Sequence, residues 1–187
     1  MLRAELGDGA FLRLLEPRDA EELHDVVMAN REHLAPWMPW VAGYSLSAAR
    51  TFIATTLRQL ADDDGMQTVI CDERGIAGTV GVHRINWGNR STSLGYWLAA
   101  DRQGRGIMTR AARAYVEHAF GPWDLRRISI EAAPENTRSR AVAERLGFRE
   151  EGLLREAERV GSRMLDHVVY GLLAEEWRAA QGAQASP

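Results

Sequence analysis

The sequence has few of the features that mark secreted, membrane-embedded or nucleic-acid-binding proteins. Cys71 is its one cysteine, so no intrachain disulfide can form and a reducing compartment fits the chain. No stretch approaches the ~20 consecutive apolar residues of a membrane span, and residues 1–8 contain no apolar signal region. These absences predict a cytoplasmic protein that does not enter a membrane.

Positive charge is not in excess either. Lys+Arg 23 against Asp+Glu 26 gives a net charge of -3 at pH 7, which argues against nucleic acid as the main partner. With 187 residues, 45% of them hydrophobic, the chain can bury one sizeable core. Because no repeat or linker stands out, we expect a single domain over residues 1–177 and a mobile polar tail over residues 178–187.

Local patterns predict strands that alternate with helices. Residues 11–15 read as a first strand, and Asp19 with Glu22 resembles a capping box at a helix start. Ser45 is a candidate cap for a second helix, and Asn136 for a helix over residues 137–146. We also predict two final strands, over residues 150–160 and 164–173, which form a long hairpin.

The most informative part of the sequence is a short segment that contains two glycines. Gly104 and Gly106 lie between a predicted strand at residues 92–98 and a predicted helix that begins at Ile107. Glycine adopts backbone angles closed to other residues and leaves the main-chain amides open to a ligand, and the helix adds its positive dipole end. Strand, loop and helix therefore occur in the order that a phosphate site needs.

Other interpretations of this segment stay open on these residues alone. A nucleotide-triphosphate loop needs a lysine before its serine or threonine, but Met108 precedes Thr109 and the sequence contains no lysine. A dinucleotide fingerprint needs a third glycine where Thr109 stands. A plain surface turn that precedes a helix remains an equal alternative, since short glycine motifs are common.

Several motifs in order resemble the GNAT acetyltransferases. The family's pyrophosphate signature Gln-x-x-Gly-x-(Gly/Ala) is matched from Gln103 to Ile107, with Met108 where the last small residue usually stands. Together with Glu135-Asn136-x-x-Ser139 and Leu146-Gly147-Phe148, the loop is similar to the RimJ/RimL branch, which acetylates ribosomal-protein N-termini. The resemblance extends from Phe11 to Trp177.

This resemblance implies an α+β GNAT fold. The expected sheet is mostly antiparallel and mixed, has about seven strands, is splayed at the acetyl-CoA site and is flanked by helices. The implied co-substrate is acetyl-CoA, with no metal, and the implied assembly is a homodimer through the unpaired edge of the last strands. The residues implied to bind acetyl-CoA are Trp97, Leu98, Gln103, Gly104, Arg105, Gly106, Ile107, Met108, Thr109, Asn136 and Ser139.

Acetyl transfer from a thioester to an amine needs a neutral amine, a site for the oxyanion and a proton for the thiolate. The resemblance places Ser139 at the thiol, although a serine in a first helical turn is common without such a role. Glu158 resembles a glutamate of the RimL pattern and is the preferred base, with Glu131 second. An ion pair of Glu158 with Arg155 or Arg159 stays open.

The acceptor pocket is predicted on an aromatic segment that contains Trp37, Met38 and Trp40. These side chains could simply close the core, but the resemblance favours a pocket wall. His167 and Glu158 are further acceptor-binding candidates, although His167 could instead pair with Asp166. His83, near a predicted strand end, is interpreted as an ordinary polar residue.

The predicted function is acetyl transfer from acetyl-CoA to the α-amino group of a protein N-terminus, as in the ribosomal-protein enzymes. An α-amino group has a pKa of about 8, against roughly 10.4 for lysine, so a modest base suffices. Two alternatives stay open. One is an enzyme of the same fold that acetylates a small amine such as an antibiotic, polyamine or amino acid, and the other is a catalytically idle coenzyme A binding module.

Overall fold

An eight-stranded sheet carries the fold in the computed structural model, which describes residues 3–184. The sheet order is β1-β2-β3-β4-β5-β6-β8-β7, and every pair is antiparallel except the parallel pair β5 and β6. This confirms the predicted α+β class with a mostly antiparallel mixed sheet. The strands are β1 Arg3–Gly7, β2 Ala10–Leu14, β3 Met66–Asp72, β4 Gly75–Asn86, β5 Ser91–Leu98, β6 Arg127–Ala132, β7 Arg149–Val160 and β8 Arg163–Leu173.

The sheet has eight strands rather than about seven because residues 3–7 form β1. Strand β1 pairs with β2 through a tight turn in which Asp8 and Gly9 both have positive φ, at 53° and 73°. Asp-Gly is a common hairpin turn, so the local signal for this strand was present in the sequence.

The described residues contain six α-helices. Helices α1 and α3 pack on one face and helices α4 and α5 on the other. In the described part of the chain, no helix is both long and apolar enough to cross a bilayer. The helices are α1 Ala20–Ala29, α2 Arg31–Leu34, α3 Leu46–Ala61, α4 Ile107–Phe120, α5 Thr137–Arg145 and α6 Ala174–Gln184.

Strand β5 divides its side chains between the two faces of the sheet. Leu94 and Leu98 join the hydrophobic cluster that contains α4, whereas Trp97 joins the cluster of α1 and α3. Side chains alternate along a strand, so neighbouring residues of β5 serve opposite layers. This places Tyr96 on the α4 side, where it packs against the first cluster.

The parallel pairing of β5 with β6 is short. It comprises Ser91↔Arg127, Thr92↔Ile128 and Ser93↔Ser129, and β6 then continues beside β8 as far as Ala132. Beyond Ser93 the two strands diverge, so every second amide of residues 94–98 points into a gap instead of to a neighbouring strand. The predicted splay of the sheet is thereby confirmed.

Two of the three predicted helix caps are confirmed. The Ser45 hydroxyl accepts a hydrogen bond from the Ala48 amide at 3.2 Å, and the Asn136 carboxamide accepts one from the Ser139 amide at 3.2 Å. The capping box of Asp19 and Glu22 is wrong, because both carboxylates bind elsewhere. Asp19 binds Arg13, and Glu22 accepts from the Ile76 amide at 2.6 Å.

The predicted boundary between domain and tail falls inside a helix, and the mobility of the tail stays a prediction. Helix α6 continues to Gln184, beyond the predicted domain end at residue 177, and residues 185–187 lie outside the described part. Alanine and glutamine favour helix. Trp177 is buried in the core, and the Arg178 guanidinium donates to the Phe120 carbonyl at 3.2 Å, so the start of this stretch is anchored.

Replacing Asp19 by asparagine tests the pair that fixes the start of α1. The buried Asp19 carboxylate accepts from Arg13 Nη1 at 2.6 Å, from Nη2 at 2.9 Å and from the Glu16 amide at 2.8 Å. Asp19→Asn should cost on the order of 2 kcal/mol, since it leaves Arg13 without its counter-charge. Urea unfolding measures this loss.

The same variant has a defined pH dependence. Burial alone would raise the pKa of Asp19, but the hydrogen bonds from Arg13 and Glu16 hold that pKa below its ordinary value. A carboxylate with a depressed pKa stabilises the fold above about pH 4 and loses this contribution as the pH falls further. The stability difference between wild type and variant should therefore shrink at about pH 3. An equal difference at neutral and acidic pH would contradict the assignment.

Candidate active site

A cavity of about 660 Å³ opens where β5 and β6 diverge. Its wall combines side chains from the α1 and α3 layer, from the strands on both sides of the gap and from the start of α5. The structure therefore brings together all of the predicted catalytic and acceptor-binding residues, with some of those predicted to bind acetyl-CoA. Those in the wall are Trp37, Met38, Trp40, Trp97, Glu131, Asn136, Ser139, Glu158 and His167.

The glycine loop lies beside this cavity and begins helix α4. Gly104 and Gly106 have φ of 76° and 70°, in the left-handed region that favours glycine, and Gly106 is the N-cap of the helix. A Cβ added at Gly104 would meet nothing within 4 Å. The loop thus has the bare, accessible backbone that an anion site requires.

The rest of the predicted loop residues contribute differently. Ile107 and Met108 are buried in the core, so their side chains are not open to a ligand. The predicted residues that do not line the cavity wall are Leu98, Gln103, Gly104, Arg105, Gly106, Ile107, Met108 and Thr109.

Gln103 joins three parts of the site. Its amide nitrogen lies 2.8 Å from His33 Nε2, and its carbonyl oxygen accepts a hydrogen bond from Arg138, in the first turn of α5. Nearby, the Asn30 carboxamide accepts from the Ala100 amide at 2.8 Å. The segment that leads into the aromatic wall is therefore attached to the glycine loop at two points.

A buried carboxylate supports the same loop from beneath. The Asp72 side chain is 1% exposed, and its Oδ2 lies 3.0 Å from Arg102 Nε and 3.4 Å from Arg105 Nη1. Arg105 itself stays 40% exposed. Asp72 thus neutralises part of the positive charge and orients the two guanidinium groups, while Arg105 remains available to an anion.

Ser139 lies on the α4 and α5 side of the sheet. Its hydroxyl donates to the Tyr96 hydroxyl at 3.3 Å, and Tyr96 donates to the Ser139 carbonyl at 3.0 Å. Burial raises the pKa of Tyr96 to about 12, so this phenol keeps its proton at neutral pH. Sequence reasoning missed Tyr96, although strand alternation opposite Trp97 was a usable signal for it.

Two carboxylates and a histidine lie in the opposite wall. His167 Nδ1 is 3.4 Å from Glu131 Oε2, and His167 Nε2 is 3.5 Å from Glu158 Oε2. The contact of Glu158 is thus with His167, not with a neighbouring arginine, and Asp166 accepts from the Glu156 amide instead of meeting His167. Among residues 3–184, no group of three or more His, Cys, Asp or Glu side chains could hold a metal ion.

The aromatic segment is both pocket wall and core. Trp40 is 39% exposed and lies 5.2 Å from the Tyr44 ring and 6.3 Å from the Trp97 ring, measured between centroids. Trp37 packs against a small apolar cluster that includes Leu165. The ring of Tyr44, which also lines the cavity, was not predicted because it follows the aromatic run in a stretch without a local signal.

His83 is a second functional candidate that the sequence did not reveal. It lines the cavity, and its Nδ1 is 3.1 Å from Gln67 Nε2. Burial lowers the pKa of His83, so the ring is neutral at pH 7. A Cβ at Gly95 would lie 3.1 Å from His83 Nε2. The missing side chain at Gly95 therefore lets this histidine lie close to the backbone of β5.

Comparison with known proteins places this geometry in a family. A model of the acetyltransferase (GNAT) domain matches residues 10–149. The Bacillus subtilis (strain 168) protein YdaF is 35% identical over 179 residues, which cover 95% of this chain and 98% of YdaF. The Escherichia coli (strain K12) [Ribosomal protein uS5]-alanine N-acetyltransferase is 27% identical over 178 residues, or 91% of this chain and 90% of that enzyme.

A solved structure extends the likeness to the cofactor. The microcin C7 self-immunity acetyltransferase MccE, in complex with acetyl-CoA and AMP, is 28% identical with a TM-score of 0.83. The match covers 90% of this chain and 94% of that one. With the family match over residues 10–149, these findings show that the chain belongs to the GNAT acetyltransferases and is an acetyl-CoA-dependent N-acetyltransferase.

Proposed function

We propose that the enzyme acetylates the N-terminal α-amino group of a protein, as its ribosomal-protein relatives do. The observation that supports this proposal is that candidate base and candidate acid residues line the cavity on opposite sides of the gap in the sheet. Glu131, Glu158 and His167 lie on one side of the gap, and Ser139 with Tyr96 lies on the other. The Escherichia coli relative is named as an enzyme that acetylates an alanine of ribosomal protein uS5, and YdaF is provisionally named as a ribosomal N-acetyltransferase.

The residues present fit acetyl-CoA. The amides around Gly104 and Gly106, together with the positive end of α4, would hold the pyrophosphate. The main chain of Trp97 and Leu98 borders the gap through which the pantetheine arm would run, and Asn136 lies opposite in the cavity wall. When bound there, acetyl-CoA supplies an activated acyl carbon and a thiol leaving group.

On the acceptor side, Glu158 serves as the general base. Its carboxylate lines the cavity with 37% of the side chain exposed, so it can meet an incoming ammonium group and accept its proton. Because an α-amino group has a pKa of about 8, part of it is already neutral at neutral pH and a modest base suffices.

On the cofactor side, Ser139 donates the proton that the departing thiolate needs. Tyr96 remains protonated and contacts both the hydroxyl and the carbonyl of Ser139, so it fixes the position of this side chain. To protonate sulfur, the Ser139 hydroxyl turns from Tyr96 toward the gap. The amides of β5 beyond Ser93 point into the same gap and can stabilise negative charge that develops on the acyl oxygen.

The charge of the cavity separates the candidate acceptors. Its wall contains Glu131 and Glu158 but no arginine, and the sequence contains no lysine. An acceptor that carries a phosphate would find no arginine or lysine in this wall, whereas a cationic amine would find two carboxylates. A small di- or polyamine is therefore the second candidate. An idle coenzyme A binding module is disfavoured, since the acid and base candidates are both present.

We also propose that the protein works in the cytoplasm as a homodimer. Strand β7 is the edge of the sheet, and its Leu153 and Leu154 are 51% and 48% exposed. An unpaired edge with exposed apolar side chains can pair with a second copy.

Replacing Gly106 by valine should abolish acetyl-CoA binding and leave the fold intact. A branched side chain at φ of 70° is strained, and its Cβ would lie 3.0 Å from Arg110 Nη1, where the pyrophosphate is expected. Gly7→Val is a matched control, because Gly7 has φ of 80° with nothing within 4 Å and lies in the β1–β2 turn. Calorimetric titration that gives wild-type affinity in folded Gly106→Val would reject the cradle.

Replacing Ser139 by alanine should lower kcat by about 10²-fold, the low end for a positioned acid, while acetyl-CoA affinity stays unchanged. Tyr96→Phe should lower kcat less, since Ser139 remains. The control is Ser47→Ala, at an exposed position in α3. Steady-state kinetics under saturating substrates with equal kcat in wild type and Ser139→Ala would return Ser139 to a structural role.

A panel of acceptors tests the substrate class. Peptides with a free N-terminal serine or alanine should turn over, whereas N-acetylated peptides and peptides with a very bulky first residue should not. Thiol release quantifies turnover, and peptide mass spectrometry locates the acetyl group. Rapid turnover of diamines or polyamines with none of any free-amine peptide would favour the second candidate.

A further inference from the structure

We propose that His167 is a positioning residue: as the imidazolium ion it lies between Glu131 and Glu158 and so keeps Glu158 ionised and directed into the cavity. This inference rests on the proposed function, in which Glu158 is the base. It assigns to His167 a role that is separate from contact with the acceptor.

The three side chains share one face of the sheet because of strand register. Glu158 on β7 lies opposite Leu165, and Glu131 on β6 lies opposite Val169, while His167 stands between those two partners on β8. Alternate residues of a strand point to the same face. The histidine is thus set between the two carboxylates by the backbone, and its side chain is only 16% exposed.

Both ring nitrogens of His167 face a carboxylate. A neutral imidazole carries a single N–H and presents a lone pair at its other nitrogen, whereas the imidazolium ion donates from both. In this site both nitrogens face carboxylate oxygens, at 3.4 Å and 3.5 Å. These are ion-pair distances rather than short hydrogen bonds, so charge attraction is the main interaction.

Two other titratable side chains near the carboxylates are either engaged elsewhere or neutral. On the same strand, Asp166 is engaged with the Glu156 amide. His83 is the other histidine of the cavity wall, and its pKa is lowered by burial, so it is neutral at pH 7. Because the wall has no arginine among the described residues, His167 is the side chain there that can place a positive charge between the two carboxylates.

Removal of a positive charge at His167 would change the protonation of Glu158, the proposed base. Two carboxylates in one cavity repel each other, and without a cation between them one takes up a proton at a higher pH. In the proposed reaction the acceptor N–H bond breaks, an O–H bond forms on Glu158, and the proton leaves to solvent through its exposed edge. His167 keeps its own proton throughout, so the balance of the reaction is unchanged.

The test is the pH profile of kcat/KM with one α-amine peptide in all variants, so that the acceptor's own ionisation is constant. In His167→Gln the acidic limb should move up by about one pH unit, with roughly tenfold loss below it and recovery above it. His167→Arg, which keeps the charge, should retain a limb near that of wild type. His118→Gln, in α4 beside Trp123, is the control for loss of a histidine.

A double variant makes the test independent of packing. Adding Glu131→Gln to His167→Gln removes the repulsion, so the limb should return toward lower pH. A uniform loss at every pH, an arginine variant no better than glutamine, or a double variant no better than the single one would overturn the proposal.

Failure of the underlying function is separately visible. If Glu158→Gln keeps wild-type activity at every pH, Glu158 is not the base, whatever the His167 variants do. If His167→Gln loses activity because the variant is unfolded, its circular dichroism spectrum will show the loss of secondary structure. In that case imidazole added to His167→Gly supplies the decisive result: restored activity at low pH supports the proposal, and no restoration rejects it.

Discussion

The early end of the pairing between β5 and β6 is the constraint on which the site depends. Three residue pairs hold the two parallel strands together, and past Ser93 and Ser129 they separate. The separation leaves main-chain amides without a strand partner and opens a passage between the two layers of helices. Proton uptake from the amine and proton donation to the thiol can therefore occur on opposite faces of one sheet, with reacting atoms meeting in the gap.

Much of the fold was predictable because its signals are local. The glycine loop, the Ser45 and Asn136 caps and the final hairpin each depend on residues close in sequence. The errors arose where a side chain is used at long range. Asp19 and Glu22 have the spacing of a capping box, but Arg13 and the Ile76 amide bind them instead. A helix-start pattern cannot report such competition, since the competing partner lies on another element.

The site was predicted unevenly for the same reason. Motifs identified Ser139, Glu158 and the aromatic segment, which the cavity brings together. The sequence could not show that Tyr96 meets Ser139 or that His167 lies between Glu131 and Glu158. Two of these contacts join residues that are 43 and 36 positions apart, and the contact of His167 with Glu158 depends on the register of the β7–β8 hairpin. The catalytic roles themselves remain predictions.

The two attachments of residues 30–34 to the glycine loop have a thermodynamic consequence. His33 contacts Gln103, and Asn30 accepts a hydrogen bond from the Ala100 amide. The segment that precedes the aromatic wall is therefore directly bonded to the cofactor loop. If binding of acetyl-CoA or of the acceptor changes these two contacts, the coupling free energy between the two binding sites is the same in both directions. Whatever factor acetyl-CoA imposes on acceptor affinity, the acceptor must then impose on acetyl-CoA, and the two substrates would favour or disfavour each other's binding before any bond is made.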